Sequence, residues 1–185
     1  NDHNEQTLFS DILQVSPGQN LIFDLNTEKL DKTFYYNLPK NQELGNYDKI
    51  QAKQYASDIR ELLIDSVRIR LRADVPVGSC LSGGLDSSAI VAIMSQLNQK
   101  SGSAEKQHTF TSSFPGQSID ESRYAKIVLK NVNAEGHFIY PKQEAFKKDL
   151  TTLFHFHDGP FGGPSTYSHW QVMKEASKHI KVTMD

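Results

Sequence analysis

Short apolar runs and longer amphipathic segments alternate along the chain from Val75 to Met184. The apolar runs are bounded by turn residues and have the length of buried strands, whereas the segments between them have helical spacing. We expect strands at 75–81, 108–114, about 136–140 and 180–184, separated by helices at about 87–97, 120–131, 143–154 and 165–178. This alternation predicts an α/β fold: an open parallel sheet with helices on both faces and right-handed crossovers. The expected helix starts are Ser87 and Ser88, Asp120, and Ser165 or Thr166.

One further helix is predicted from Lys49 to about Leu71. Its end, residues 67–72, also alternates like a strand, but we favour a helix because the upstream apolar face continues into it. The residues on that face are Tyr55, Ile59, Leu62, Leu63, Ser66 and Val67.

The first 40 residues have a different pattern. Strand-like runs at 12–15, 20–25 and 33–36 are separated by turn signals at Ser16–Gln19 and Asn26–Thr27. They predict a small antiparallel hairpin or meander, which would be marginal alone. We therefore divide the chain into an N-terminal part, 1–40, and an α/β domain, 41–185.

Composition narrows the class of protein. The 185 residues carry 20 Lys and Arg against 22 Asp and Glu, a net charge of −2, which gives no basic surface for nucleic acid or an anionic membrane. No apolar run is long enough to cross a bilayer, and the polar residues at the start of the sequence do not have the pattern of a signal peptide, so we expect neither. The single cysteine excludes an internal disulfide framework. These features favour a soluble, cytoplasmic protein.

The most informative stretch is the turn Ser82-Gly-Gly-Leu-Asp-Ser87, between the first predicted strand of the sheet and the helix after it. Adjacent glycines allow a sharp turn and close approach of a ligand, and the N-terminus of the following helix attracts anions, phosphate above all. Three other glycine motifs do not match. Gly84 stands where Walker A needs lysine, Cys80 stands where the nucleophile elbow needs glycine, and Gly-x-Gly-x-x-Gly is absent. A glycine-rich turn without a ligand is the alternative interpretation.

Ligands of parallel α/β sheets bind beyond the carboxyl ends of the strands. The loops at 82–87 and 112–120, with whatever follows Asp185, should therefore line one crevice. The chain does not start with methionine and closes where such a loop should begin, so we expect it to be a fragment.

The turn resembles the pyrophosphate loop of the N-type ATP pyrophosphatases, and the longer motifs Asp74-Val-Pro-Val-Gly and Leu81-Ser-Gly-Gly-Leu-Asp-Ser-Ser88 resemble the synthetase domain of glutamine-hydrolysing asparagine synthetases. Later segments agree with that family in order: 109–114 with 120–125, then His157-Asp-Gly-Pro-Phe161, then Val182-Thr-Met-Asp185. The hairpin region resembles the end of the glutaminase domain that precedes the synthetase domain.

The resemblance implies that ATP and Mg²⁺ activate the side-chain carboxylate of aspartate as an acyl-adenylate, releasing pyrophosphate. Ammonia channelled from the glutaminase domain then gives asparagine and AMP, and a homodimer is compatible with the family. Backbone N–H groups of Ser82, Gly83 and Gly84 and the hydroxyls of Ser82, Ser87 and Ser88 would hold the pyrophosphate.

The family match assigns roles to four further positions. Asp86 would hold Mg²⁺, with a helix N-cap as its alternative role. Leu81 would contact adenine, Ser112 would border the nucleoside, and Asp120 would lie near the ribose or adenine, unless it serves only as a helix cap.

Some residues depart from the family pattern. Gly159 replaces an acidic residue, and Phe161-Gly-Gly-Pro-Ser165 stands where many members place threonine and arginine that grip the substrate. The alternatives are therefore an amide former for another carboxylate, such as a β-lactam synthetase-like enzyme or a peptide-tailoring cyclase, or a non-catalytic scaffold domain.

The chain contains no complete catalytic set, because the family's glutaminase cysteine and its acidic Gly-rich segment are not in it. We expect weak nucleotide binding and no turnover. Cys80 is expected to be a small core residue, and His155, His157 and Asp158 are expected to be loop polarity rather than a metal site.

Overall fold

A computed structural model describes residues 4–39, 45–102 and 106–185. The chain forms two compact units, Asn1–Asp48 and Lys49–Asp185. The boundary expected after residue 40 lies outside the described residues.

The first unit contains an antiparallel hairpin of β1 (Gln19–Asp24) and β2 (Lys29–Phe34). Asp24 fixes the turn between them, since its Oδ1 accepts the N–H groups of Asn26 and Thr27, each at 2.8 Å. These amides lower the pKa of Asp24. We had expected this strand to begin at Thr33. It begins earlier, at Lys29, because the turn is complete by residue 28. The run at 12–15 is not a strand in the structure; only Leu13 forms a bridge, to Gln6.

The second unit contains five helices and four strands among its described residues. They are α1 (Lys49–Arg70), β3 (Val77–Cys80), α2 (Leu85–Lys100), β4 (Gln107–Ser112), α3 (Ser122–Leu129), β5 (Ala134–Ile139), α4 (Gln143–His157), α5 (Pro164–Ala176) and β6 (Val182–Met184). The strands pair in parallel in the order β5-β4-β3-β6. The predicted α/β architecture, a parallel sheet flanked by helices with a separate N-terminal hairpin, is confirmed.

The strand order creates a switch point. From β3 the chain moves outward through β4 to β5, and it then returns to place β6 on the other side of β3. In open parallel sheets a ligand crevice forms outside the carboxyl ends of the strands at such a point. The turn after β3 is therefore at the position where a site is expected.

Three apolar clusters hold helices on the sheet. One joins α5 to β4 through Phe110, Val172, Ala176 and Ile180. Another joins α1 and α2 to the sheet through Val67, Met94 and Met184, and the third joins α2 and α3 through Leu81, Val91 and Ala125. These clusters fix both ends of the turn after β3, since Leu81 precedes it and Val91 lies in the helix that follows it.

Some local predictions were wrong in detail. Of the face expected on α1, Tyr55, Ile59 and Leu62 are 56%, 64% and 70% exposed, because the buried contacts come from its last turns around Val67. The helix α5 starts at Pro164, with Gly163 as the N-cap instead of Ser165 or Thr166, consistent with the preference for proline in the first turn. None of the helices in the described ranges is long and apolar enough to span a membrane.

Candidate functional site

The turn after β3 leaves the sheet from a firmly held backbone. Leu81 is fully buried, and its N–H donates to the carbonyl of Phe110 at 2.8 Å. Its carbonyl accepts the hydroxyl of Thr111 at 2.7 Å. Both backbone groups of Leu81 are therefore tied to β4, and the next residues start from a fixed position.

Gly83 lets the turn pass close beneath α3. Its φ is +89°, in the region that favours glycine, and an added Cβ would lie 2.6 Å from Tyr124 Cβ and 2.7 Å from the amide nitrogen of Ala125. No other residue type fits this position without displacing backbone.

Two serine hydroxyls organise the turn. Ser82 Oγ accepts the N–H of Gly84 at 3.2 Å and lies 2.9 Å from Ser87 Oγ. Ser87 Oγ also lies 3.4 Å from the carbonyl of Gly84, to which it donates. Ser88 follows half-buried, with its N–H bonded to the same carbonyl at 3.1 Å.

Most N–H groups around the turn have no partner among the described residues. The amides of Ser82, Gly83 and Ser87, and also those of Leu85 and Asp86, make no hydrogen bond there. The amide of Gly84, which was also predicted as an open donor, is instead bonded to Ser82 Oγ. Ser82, Gly84, Leu85 and Asp86 are exposed. Unpaired N–H groups at an open helix N-terminus form an anion site with partial positive charge.

Asp86 lies in the first turn of α2, whereas the N-cap is Gly84. The alternative interpretation of Asp86 as the helix cap is therefore wrong, and Ser87 and Ser88 likewise lie inside the helix that they were expected to start. Within the part of the chain that the structure describes, the exposed carboxylate of Asp86 has no hydrogen bond or ion pair. An open carboxylate beside an anion site is a suitable ligand for a hard cation.

A cavity of about 270 Å³ opens beside the turn. It brings together three of the predicted site residues, Leu81, Ser82 and Ser112, from the ends of β3 and β4. Among the described residues, Ser112 Oγ has no hydrogen-bond partner, and the atom itself is buried although the residue lines the cavity. An unsatisfied buried hydroxyl costs free energy, and a change of rotamer would turn it toward a polar ligand in the cavity.

Asp120 holds the loop between β4 and α3. Its Oδ1 accepts the N–H groups of Phe114 at 3.1 Å and Ser122 at 3.2 Å, as well as the hydroxyl of Ser113 at 3.2 Å. Its Oδ2 accepts the hydroxyl of Ser122 at 3.1 Å. These bonds, the amide of Phe114 above all, lower the pKa of Asp120. The side chain thus braces the loop, although the N-cap of α3 is Glu121, one residue after the helix start expected at Asp120. The neighbouring Phe114, Ile119 and Glu121 line the cavity.

Cys80 is half-buried and also lines the cavity, so it is less enclosed than predicted. Its N–H donates to Asp185 Oδ1 at 3.3 Å, across the switch point. Burial raises the pKa of the Cys80 thiol to about 12, helped by the hydrogen bond and charge of Asp185. A thiol with this pKa is protonated at neutral pH and is a poor nucleophile.

Some lining residues were not predicted. His169 reaches the cavity from α5, and its ring lies near the thiol of Cys80 and the carboxylate of Asp185, with ligand atoms within 4.8 Å of one another. The rotation of α5 decides which of its residues faces the strand ends, and the sequence pattern does not resolve this. Glu121 could have been predicted from the sequence, since it lies one residue beyond the loop that we expected to line the crevice.

His155, His157 and Asp158 were expected in a loop, but only Asp158 lies outside α4. His155 and His157 lie in the last turn of the helix, and Asp158 follows it with φ of 52°. None of the three belongs to a cluster of metal-ligand type among the described residues.

A glycine-rich turn that opens a helix at the switch point of a parallel sheet defines the class of α/β proteins built like nucleotide-binding domains. The family comparison is more specific. Residues 58–185 match the family model described as asparagine synthase, and the chain belongs to this family.

Relatives cover nearly the whole chain. A provisionally named glutamine-hydrolysing asparagine synthetase 2 of Methanocaldococcus jannaschii is 35% identical over 178 residues, which is 96% of this chain and 33% of that protein. The glutamine-hydrolysing asparagine synthetase 1 of Bacillus subtilis is 27% identical over 96% of this chain and 26% of its own length. A protein of Gibberella zeae named amidase chry2 is 31% identical over 75% of this chain and 22% of its own length. The chain thus spans a third or less of these relatives.

Proposed function

We propose that this chain is the ATP-binding part of a glutamine-hydrolysing asparagine synthetase. One observation carries the proposal most directly: the N–H groups around Ser82–Ser87, unpaired among the described residues, adjoin a cavity lined by Ser112, whose buried hydroxyl has no described partner either. The first feature is suited to an anion, and the second is suited to a neutral polar group. ATP carries both in one molecule.

The size of the cavity favours binding of only one part of the nucleotide inside it. Drug-sized ligands occupy pockets of about 300–1,000 Å³, so a cavity of about 270 Å³ suits a nucleoside better than a whole triphosphate. We place the nucleoside against Leu81 and Ser112, and the phosphates along the exposed turn. Asp120, whose oxygens already hold the loop, supports this wall and would border the ribose or adenine at most.

The proposed first step is adenylation. A carboxylate oxygen of aspartate attacks the α-phosphorus of ATP, the bond to the β-phosphate oxygen breaks, and pyrophosphate leaves. Negative charge grows on the leaving group, and preorganised N–H donors stabilise such charge without having to reorient. The donors are the amides of Ser82 and Gly83, with the first turn of α2 and the hydroxyls of Ser82, Ser87 and Ser88.

Asp86 has a distinct role in this proposal. A carboxylate alone would repel phosphate, so its exposed position at the turn favours a shared Mg²⁺ ion. When bound, Mg²⁺ would neutralise part of the phosphate charge and polarise the phosphoryl group.

The second step makes the amide. Ammonia attacks the acyl carbon, AMP leaves, and the remaining proton passes to solvent, which yields asparagine. The ammonia would come from a glutaminase domain of the full-length protein, and residues 1–40 would be the end of that domain. The names of the relatives support this source, since the two synthetases are described as glutamine-hydrolysing.

The test uses the full-length protein. We expect aspartate to stimulate release of AMP and pyrophosphate from ATP, and Asp86→Ala to abolish that release. Asp74→Ala is the matched control, because Asp74 is also exposed but lies before β3, at the opposite edge of the sheet. Pyrophosphate release that survives Asp86→Ala would remove the metal assignment, and a full-length protein that aspartate does not stimulate would refute the substrate.

A second candidate is an amide former that acts on another carboxylate. It is favoured by the similarity to amidase chry2 and by the departures at Gly159 and 161–165. AMP release measured with a panel of carboxylates separates the two, since this candidate predicts stimulation by a carboxylate other than aspartate.

A further inference from the structure

Three histidines converge at a place that the proposed function does not use. His108 comes from β4, His137 from β5, and His179 from the connection between α5 and β6. Their ligand nitrogens lie within 4.8 Å of one another, and His108 Nδ1 is 2.9 Å from His137 Nε2. Tetrahedral zinc with Zn–N bonds of about 2.0–2.1 Å separates its ligand nitrogens by about 3.3 Å. Small side-chain shifts would bring the three rings to that spacing.

The cluster is remote from the Ser82–Ser87 turn. His108 and His179 line a cavity of about 530 Å³ at the edge where the strands begin, next to Val77. Ser112 lies four residues further along the same strand, about 13 Å away at the usual rise of a strand. The cavity gives the histidines access to solvent, as a fourth, water-occupied ligand position requires.

Two carboxylates border the histidines. Glu135 Oε1 lies 3.8 Å from His137 Nε2, and Glu175 Oε1 lies 3.3 Å from His179 Nε2. Lys178 donates a hydrogen bond to Glu175 Oε2 at 2.6 Å, which holds this carboxylate in place. Glu135 adjoins the same nitrogen of His137 that faces His108, so it would lie beside the ion rather than behind the ring. The charge of the two carboxylates would compensate that of a divalent cation.

The histidines are arranged for neutral ligation. His108 Nδ1 and His137 Nε2 lie within hydrogen-bond distance of each other, so at least one of these two rings accepts a proton there and is neutral. Neutral imidazole is the form that binds metal. Of the three rings, that of His137 also stacks on Phe110 at 5.0 Å, which fixes its plane.

We propose that His108, His137 and His179 bind one divalent transition-metal ion, Zn²⁺ foremost, with water as the fourth ligand. Imidazole nitrogen suits Zn²⁺ far better than Mg²⁺ or Ca²⁺. The ion would link β4, β5 and the segment that leads into β6. It would thereby stabilise the side of the sheet opposite to the nucleotide site.

The experiment is a metal titration of the chain after treatment with chelator. We expect one Zn²⁺ per chain, and the spectrum of tetrahedral Co²⁺ when cobalt replaces zinc. Zinc at about a hundredfold excess over its Kd should raise the melting temperature by about 5–10 °C. Loss of even a carboxylate behind a ligand weakens metal binding by about 10–100-fold, so His137→Gln and His179→Gln should each weaken it by more than about 100-fold.

The control is His155→Gln, since His155 lies outside the cluster and should leave the affinity unchanged. His179→Gln keeps the test decisive if His137→Gln fails to fold, because the side chain of His179 is 30% exposed and lies outside the helices and strands. A chain that binds no zinc, or cluster variants that bind it as tightly as His155→Gln, would show that the histidines are only a packed aromatic cluster. Neither result depends on whether the protein is a ligase.

Discussion

Replacing Gly83 with alanine tests the geometry on which the turn depends. The substitution places a Cβ at φ of +89°, which costs about 1–2 kcal/mol for an L-residue. The same Cβ would lie 2.6 Å from Tyr124 Cβ and 2.7 Å from the amide of Ala125, and overpacking of this kind costs about 1–3 kcal/mol. We therefore expect Gly83→Ala to lower the free energy of unfolding by about 2–5 kcal/mol.

Substitutions at two other glycines separate the cost of the backbone conformation from the cost of the close contact. Gly116 has φ of +82°, and no described atom lies within 4 Å of an added Cβ, so Gly116→Ala should cost only the backbone strain of about 1–2 kcal/mol. Gly84 is extended, with φ of −67°, and its Cβ would meet only the movable hydroxyl of Ser82. Gly84→Ala should cost about 1 kcal/mol at most, as expected for a changed N-cap.

The assay is urea unfolding followed by the fluorescence of Trp170, which is the single tryptophan and lies in α5. The signal therefore reports the α/β unit and is insensitive to the hairpin. If Gly83→Ala costs no more than Gly116→Ala, the close packing of the turn beneath α3 is wrong. If it costs less than about 0.5 kcal/mol, the backbone argument is wrong as well.

Three further predictions concern side chains around the cavity. Ser112→Ala removes a buried hydroxyl that is unpaired among the described residues, so it should leave stability in urea unfolding unchanged or raise it by up to about 2 kcal/mol. It should also weaken ATP binding several-fold in calorimetry. A clear loss of stability would mean that the hydroxyl has a partner. Cys80, with its pKa raised to about 12, should be alkylated by iodoacetamide at pH 8 at least about a hundredfold more slowly than a free cysteine peptide, and an equal rate would contradict its environment. The pKa of Asp120 is lowered in the folded chain, so its contribution is present above its ordinary pKa of 3.8 and is lost as pH falls through the lower, folded value. Asp120→Asn should reduce stability at pH 7 and flatten this acid dependence in unfolding curves, and an unchanged curve would count against the loop brace.

The parts of the fold that the sequence predicted are those with a strong periodic pattern. The segments of β3 and β4 are bounded apolar runs that become buried in the sheet, and α1 carries regular helical spacing of apolar residues. The spacing predicted the existence of α1 but not its buried face, since only Val67 of this helix is buried. The start of α2 was predicted two residues late, because serine is a common cap whereas the observed cap is Gly84. The early start of β2 follows from the turn at Asp24, which polar residues build without an apolar signal.

In the candidate site, too, the features that are local in sequence were predicted, whereas those that depend on packing were not. The Ser82–Ser87 turn is local in sequence, so its motif was visible before the fold was known. By contrast, His169 reaches the cavity through the rotation of a helix, and the histidine cluster combines three distant segments. The unpaired hydroxyl of Ser112 is likewise a property of packing, which periodicity alone does not reveal.

The most direct test of the central claim is a titration of the ¹⁵N-labelled chain with Mg²⁺ and inorganic pyrophosphate, followed by amide chemical shifts. This measurement detects weak binding, which is what we expect of a chain that spans a third or less of its relatives. We predict that the amides of Ser82, Gly83 and Asp86 move together and saturate, while amides of the β1–β2 hairpin stay fixed. Saturating shifts elsewhere with none at the turn, or no shifts at millimolar pyrophosphate, would contradict the proposal that this turn receives the leaving group of ATP.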